Sequence, residues 1–390
     1  MWRRLVLFWG VIGAGLAGGV ASLQWLGPPA AVTSRPHEEN RNSTVLIPDS
    51  KTVSELPSRP VEPGTGHAVE SAVTSASEPP GAALLVGAVR GRPGRTGPIP
   101  VPPPNSALLD PAKSPAEGRL PRIASDGRTA GQVYAGAFAP MAGRPHIAVI
   151  LVGFGLNTMT DDAAMRDLPA GVSFSVSPYA AIQPATLQAA RDGGHELLLS
   201  IPMEPQGFPL NDPGDHALLS TATPEENRAN LRWVLGRVAG YAGATGALGP
   251  GLNGERFTQI TEQMDDMLSE LAARGLFYVD PRVSDSDADD SPALARAPLP
   301  AVWSRAIDRV IDDPPSRAGI DASLAELEHI ASDRGVAVGL VGIATPVLLG
   351  RLKVWSRGLA ERGFDLAPAS AVMQPPAARL GREYHAVNTP

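Results

Sequence analysis

Glu204, Asp280, Arg282, Asp308 and Asp312 each fall at or just beyond an apolar run that reads as a strand. Carboxylates and an arginine gathered at strand ends could hold polyhydroxylated or amino-sugar ligands through charge-assisted hydrogen bonds. The same groups could equally close the top of a sheet as an ion-paired network. Ser200, near the end of the run Glu196 to Ile201, is a tempting hydroxyl nucleophile. It lacks the Gly-x-Ser-x-Gly elbow and has no histidine nearby in sequence, which disfavours a Ser/His/Asp hydrolase.

Other motifs carry less. Gly153 and Gly155 imitate the start of a dinucleotide fingerprint, but Thr158 takes the third glycine position. The strand Val172 to Ser177 also ends without an acidic residue for a ribose hydroxyl, so a tight strand-to-helix turn is the better reading. Asp285-Ser-Asp-Ala-Asp-Asp290 alternates carboxylates as calcium loops do, yet Asp290 stands at the glycine position and Arg296 at the glutamate position, which suits a solvated acidic loop. His146, His195, His216 and His329 include no pair at i, i+3 or i, i+4, so a histidine metal site would need distant residues to converge. His195 stands at a strand start, a packing position. Cysteine is absent, which excludes thiolate zinc sites and disulfides.

The elements that must position these residues alternate. His146 to Val152, Val172 to Ser177, Glu196 to Ile201, Leu276 to Asp280 and Val336 to Gly342 read as buried strands. Thr223-Pro-Glu-Glu226 is a capping box with proline at the first helical position, and Thr345-Pro346 repeats the cap-then-proline start. Gly193, Gly275, Gly335 and Gly363 mark helix ends. Strand–helix alternation predicts an α/β fold with a mostly parallel sheet over 145–374, either an open doubly wound sheet or a closed barrel. In both, the loops leaving the C-terminal strand ends form the functional crevice.

Outside that domain, Leu5 to Leu26 is an uncharged apolar run of membrane-spanning length behind Arg3 and Arg4, with Trp2, Trp9 and Trp25 as interfacial or lipid-facing aromatics. Residues 1–26 therefore read as a transmembrane anchor that places the remainder in the periplasm, with a cleaved signal peptide as the rival. Residues 27–144, rich in Pro, Gly and Ser, read as a disordered linker, with Ala82 to Val89 as an apolar patch inside it. Residues 375–390 read as a tail. A net charge of -7 argues against a nucleic-acid partner.

In order along the chain, Ile147-Ala-Val-Ile-Leu151, Gly155-Leu-Asn157, Gly194-His-Glu-Leu-Leu-Leu199, Pro202-Met-Glu-Pro205, Gly254-Glu-Arg-Phe-Thr258, Gly275-Leu-Phe-Tyr-Val-Asp280 with Arg282, and Gly335-Val-Ala-Val338 resemble the divergent polysaccharide deacetylase family of bacterial envelope proteins. The resemblance implies a deformed parallel (β/α) barrel and an ancestral, metal-assisted removal of acetyl groups from amino sugars. It also implies departures. Val152 and Gly153 stand where relatives carry two aspartates, Ser200 and Leu252 stand at histidine places, and Gly342 replaces the late histidine. Glu204, Arg256, Asp280, Arg282, Asp308 and Asp312 remain, and with Ser200 they are the expected ligand-binding residues.

Apolar or side-chain-free residues at four such places cannot supply the roughly three ligands that zinc-like catalysis needs. The expectation is a catalytically degenerate module on the inner membrane that binds an envelope glycan or a periplasmic protein, with no cofactor. The alternative is an active deacetylase whose divalent metal, such as zinc, is held by Glu204, Asp280 and Asp312.

Overall fold

The computed structural model describes residues 98–111, 118–283 and 302–376. All belong to the second of the two units into which the chain divides, Ser75–Pro390. The expected anchor, the Ala82 to Val89 patch, the acidic loop Asp285 to Asp290 and the tail beyond 376 lie outside the described residues.

The barrel is built from β1 (His146–Phe154), β2 (Val172–Val176), β3 (Leu197–Ser200), β4 (Gly243–Thr245), β5 (Phe277–Val283), β6 (Ser304–Ile307), β7 (Arg309–Val310), β8 (Val336–Val341) and β9 (Asp365–Ala367). Their order is β6-β5-β4-β3-β2-β1-β8-β7, with β9 also on β1, and the pairs are parallel. Only Asp308 separates β6 from β7. One short run therefore pairs with β5 on one side and β8 on the other, and it bends the sheet into a nearly closed barrel.

Helix α1 (Ala130–Val133) precedes β1, and between the strands lie α2 (Thr158–Asp167), α3 (Pro184–Asp192), α4 (Pro224–Leu235), α5 (Thr261–Ala273), α6 (Arg317–Arg334) and α7 (Pro346–Arg357). Local chemistry sets their ends. In the Thr223 capping box the hydroxyl accepts from Glu226 N–H while the Glu226 carboxylate accepts from Thr223 N–H. Gly335 ends α6 at φ 79°, a left-handed conformation that glycine adopts without a Cβ clash. Because parallel strands are covered on both faces, β1 reads as a continuous apolar run, and Ile147 to Val152 are all buried.

Strand alternation fixes which side chains face inward. A Cβ at Gly339 would meet Leu327 of α6, so Gly339 and its partner Val149 face the helices. The opposite set, traced through the register, points into the barrel: Ile150, Ser173, Ser175, Glu196, Leu198, Ser200 and Thr245. At the barrel floor the buried Glu196 accepts from Gly136 N–H (2.9 Å), Ser370 N–H (3.0 Å) and the Ser173 hydroxyl (3.2 Å).

Part of the segment whose composition reads as a disordered linker is packed against the barrel. Residues 98–111 and 118–144 are packed, with Val101, Leu108, Leu109, Ala124, Ala130 and Tyr134 buried. Val101 N–H donates to Arg191 C=O, Asn105 N–H to the Tyr134 hydroxyl and Gly131 N–H to Gly275 C=O. The segment wraps the barrel with isolated apolar residues between prolines, so it shows no strand or helix period despite its burial.

Candidate functional site

The C-terminal strand ends gather few reactive groups. Ser200 is fully buried, and its hydroxyl lies 2.8 Å from that of Ser175, which shares its inward face. That pairing, with no histidine or carboxylate bonded to Ser200 among the described residues, leaves it unsuited to nucleophilic attack. Thr245 completes this layer and accepts from Ala247 N–H. The expected lining of the crevice is thus a plug of small hydroxyl side chains.

Glu204 lies beyond β3 and is 2% exposed. One carboxylate oxygen accepts from Ser220 N–H at 2.6 Å, and the other lies 3.1 Å from Nε of Arg256, whose side chain is 51% exposed. Its backbone carbonyl accepts from Arg256 N–H and Phe257 N–H, so Glu204 ties the loops after β3 and β4 together. Asp280 and Arg282 form a second pair: the buried carboxylate receives Nε, Nη2 and the backbone N–H of Arg282. Those bonds push the Arg282 guanidinium pKa further up and keep it charged. Asp280 shares the alternation of Tyr278, opposite that of Ser200 and Thr245, so it does not face the barrel interior with them.

The aspartates of the β6–β8 region separate. Asp312 accepts from Gly342 N–H (2.9 Å) and Ile343 N–H (2.8 Å), closing the turn that leaves β8. Asp308 accepts from Val338 N–H and from Arg334 at the end of α6, so it sits toward the entry end of β8, away from the crevice. Asp308, expected among the ligand-binding residues at the strand ends, therefore lies apart from them. A strand run shared by β6 and β7 carries the two residues to different levels of the barrel.

These placements test whether a catalytic metal fits. Among the described residues, no three of His, Cys, Asp or Glu come together to hold an ion. Glu204, Asp280 and Asp312 each satisfy a separate local partner. Val152 is buried, Gly153 turns the chain at φ 78°, and a Cβ at Gly342 would lie 3.1 Å from Pro250. The donor set does not suit a zinc-like ion, and the ligand set of the alternative reading is not assembled.

The histidines have structural surroundings. His195 stacks on Phe174 at 4.2 Å and its Nδ1 lies 2.9 Å from Val172 C=O; burial pushes its pKa down. His216 stacks on Trp233 at 3.7 Å. A carboxylate missed from sequence is Asp161, in the first turn of α2 and 4% exposed, where Oδ2 accepts from Gly155 N–H. Burial pushes its pKa up to about 6. Its only signal was the Asn157 cap four residues earlier, which marks a helix start but not the burial of its first turn.

Residues 149–373, more than half of the chain, match the family described as divergent polysaccharide deacetylase. The chain belongs to this family. It is similar to an uncharacterized protein of Agrobacterium tumefaciens C58 whose crystal structure superposes with a TM-score of 0.58 at 28% identity, covering 65% of this chain and 99% of that one. It is also 22% identical over 218 residues to an uncharacterized protein of Haemophilus influenzae, covering 55% of this chain and 72% of the relative. As a divergent polysaccharide deacetylase, the chain keeps the barrel and the ordered motifs that the resemblance rested on.

Proposed function

We propose that this divergent polysaccharide deacetylase is a non-catalytic envelope module that binds glycan, tethered to the inner membrane through residues 5–26 with its barrel in the periplasm. One observation carries the reading. The strand ends that would present metal ligands offer Val152, Gly153, Ser200, Leu252 and Gly342, while the surviving carboxylates are each engaged separately. Membrane placement rests on the apolar run behind Arg3 and Arg4. A protein partner in the periplasm is the other occupant that the same barrel mouth would admit.

The test is calorimetric titration of the full chain in detergent with zinc, together with incubation with N-acetylated glycan oligomers. Neither stoichiometric zinc binding nor acetate release is expected. Acetate release that a chelator abolishes would overturn the reading.

A further inference from the structure

Two arginines, Arg256 in the loop after β4 and Arg282 at the end of β5, are each paired with a buried carboxylate that leaves part of the guanidinium facing water. Glu204 and Asp280 have side-chain exposures of 2% and 3%, whereas Arg256 and Arg282 have 51% and 34%. Among the described residues, Nη1 and Nη2 of Arg256 and Nη1 of Arg282 have no hydrogen-bond partner. The hydrogen bonds from Asp280 fix the Arg282 guanidinium in direction, and the Glu204 ion pair draws Arg256 toward its own loop, so an incoming oxyanion would meet donors whose side-chain freedom is already reduced.

Residues adjacent in sequence to the two pairs meet at Gly246. A Cβ at Gly246 would lie 2.8 Å from the Tyr278 hydroxyl, 2.9 Å from Met203 Cε and 3.3 Å from Pro281 Cγ. Met203 precedes Glu204 and also abuts Gly254, two residues before Arg256, while Pro281 lies between Asp280 and Arg282. The Tyr278 hydroxyl is fully buried against the backbone of Gly246 at this junction, and burial and then the Asp280 charge push its pKa well above the usual phenol range.

We infer that Arg256 and Arg282, around the Gly246 junction, form a site for a carboxylate-bearing sugar. The inference rests on the glycan-binding reading and deepens it from glycans in general to acidic ones. Titration of the full chain in detergent with oligogalacturonate, and with chitooligosaccharide of equal length, tests it. Oligogalacturonate should bind more tightly and weaken with salt. Arg256→Gln and Arg282→Gln should each weaken it roughly tenfold, while Arg232→Gln on α4, outside the junction, leaves it unchanged.

Equal binding of both oligomers, unaffected by either substitution, would overturn the acidic preference and leave glycan binding standing. No binding of either would overturn both. If Arg282→Gln fails to fold because Asp280 is left unpaired, competition on the unaltered chain decides. Inorganic phosphate should displace oligogalacturonate, and failure to displace it would overturn the site.

Discussion

At Asp161, a carboxyl placed in water would ionise near 3.8, yet here burial outweighs the Gly155 amide and raises the value to about 6. Folding therefore favours the protonated form. Its contribution to stability is complete below about pH 3.8 and is lost as pH rises through about 6, so the ionised group is a burden at neutral pH. Asp161→Asn, which keeps an acceptor for Gly155 N–H, should raise unfolding free energy at pH 7 by about 1–2 kcal/mol and change little at pH 4. Denaturant unfolding at both pH values checks this; an equal effect at both would show that charge is not the cause. Residue type was legible at this scale while surroundings were not. Ser200 could be recognised as an unlikely nucleophile from the absent elbow, but its Ser175 partner depends on the β2–β3 register, which no local pattern reveals. Asp308 and Asp312 both fall at or just beyond an apolar run in sequence and are separated by the level each occupies along β8.

Elements with a sustained apolar run or a capping box could be read directly, as with β1, β3, β5, β8, α4 and α7. The strands that were missed are short or interrupted: Gly243–Thr245 has little side chain to pattern, Ser304–Ile307 with Arg309–Val310 carries charge, and Asp365–Ala367 is three residues long. Their pairing comes from barrel closure, which overrides weak local preference. Glu196 joins elements in the same non-local way. It fastens the segment before β1 through Gly136, β2 through Ser173, and the short 3-10 helix Ala369–Val372 through Ser370. Glu196→Ala should leave these donors unpaired and destabilise the fold by about 3–5 kcal/mol. Amide exchange should accelerate first around Gly136 and Ser370, whereas Glu196→Gln should retain part of that protection. Unchanged exchange at both places in the alanine variant would remove the fastening role.

For the molecule as a whole, the packing of residues within 98–144 was the largest departure from the expected disordered linker, because composition averages over a segment whose few apolar residues do the packing. Burying a large apolar side chain contributes roughly 1.5–3 kcal/mol, and Val101, Leu108, Leu109 and Tyr134 are together buried against the barrel. Their sum is comparable to the 5–15 kcal/mol net stability of a typical domain. The segment also supplies Asp110 to Arg274, whose guanidinium donates to Pro121 C=O, and supplies Gly136 to Glu196. A chain starting at residue 98 should therefore melt with an intact cooperative transition, while one starting at residue 145 should lose that transition or melt far lower. Thermal unfolding followed by near-ultraviolet circular dichroism distinguishes the two. Equal melting of both chains would mean that residues 98–144 cover the barrel without holding it, and the boundary at 145 would stand.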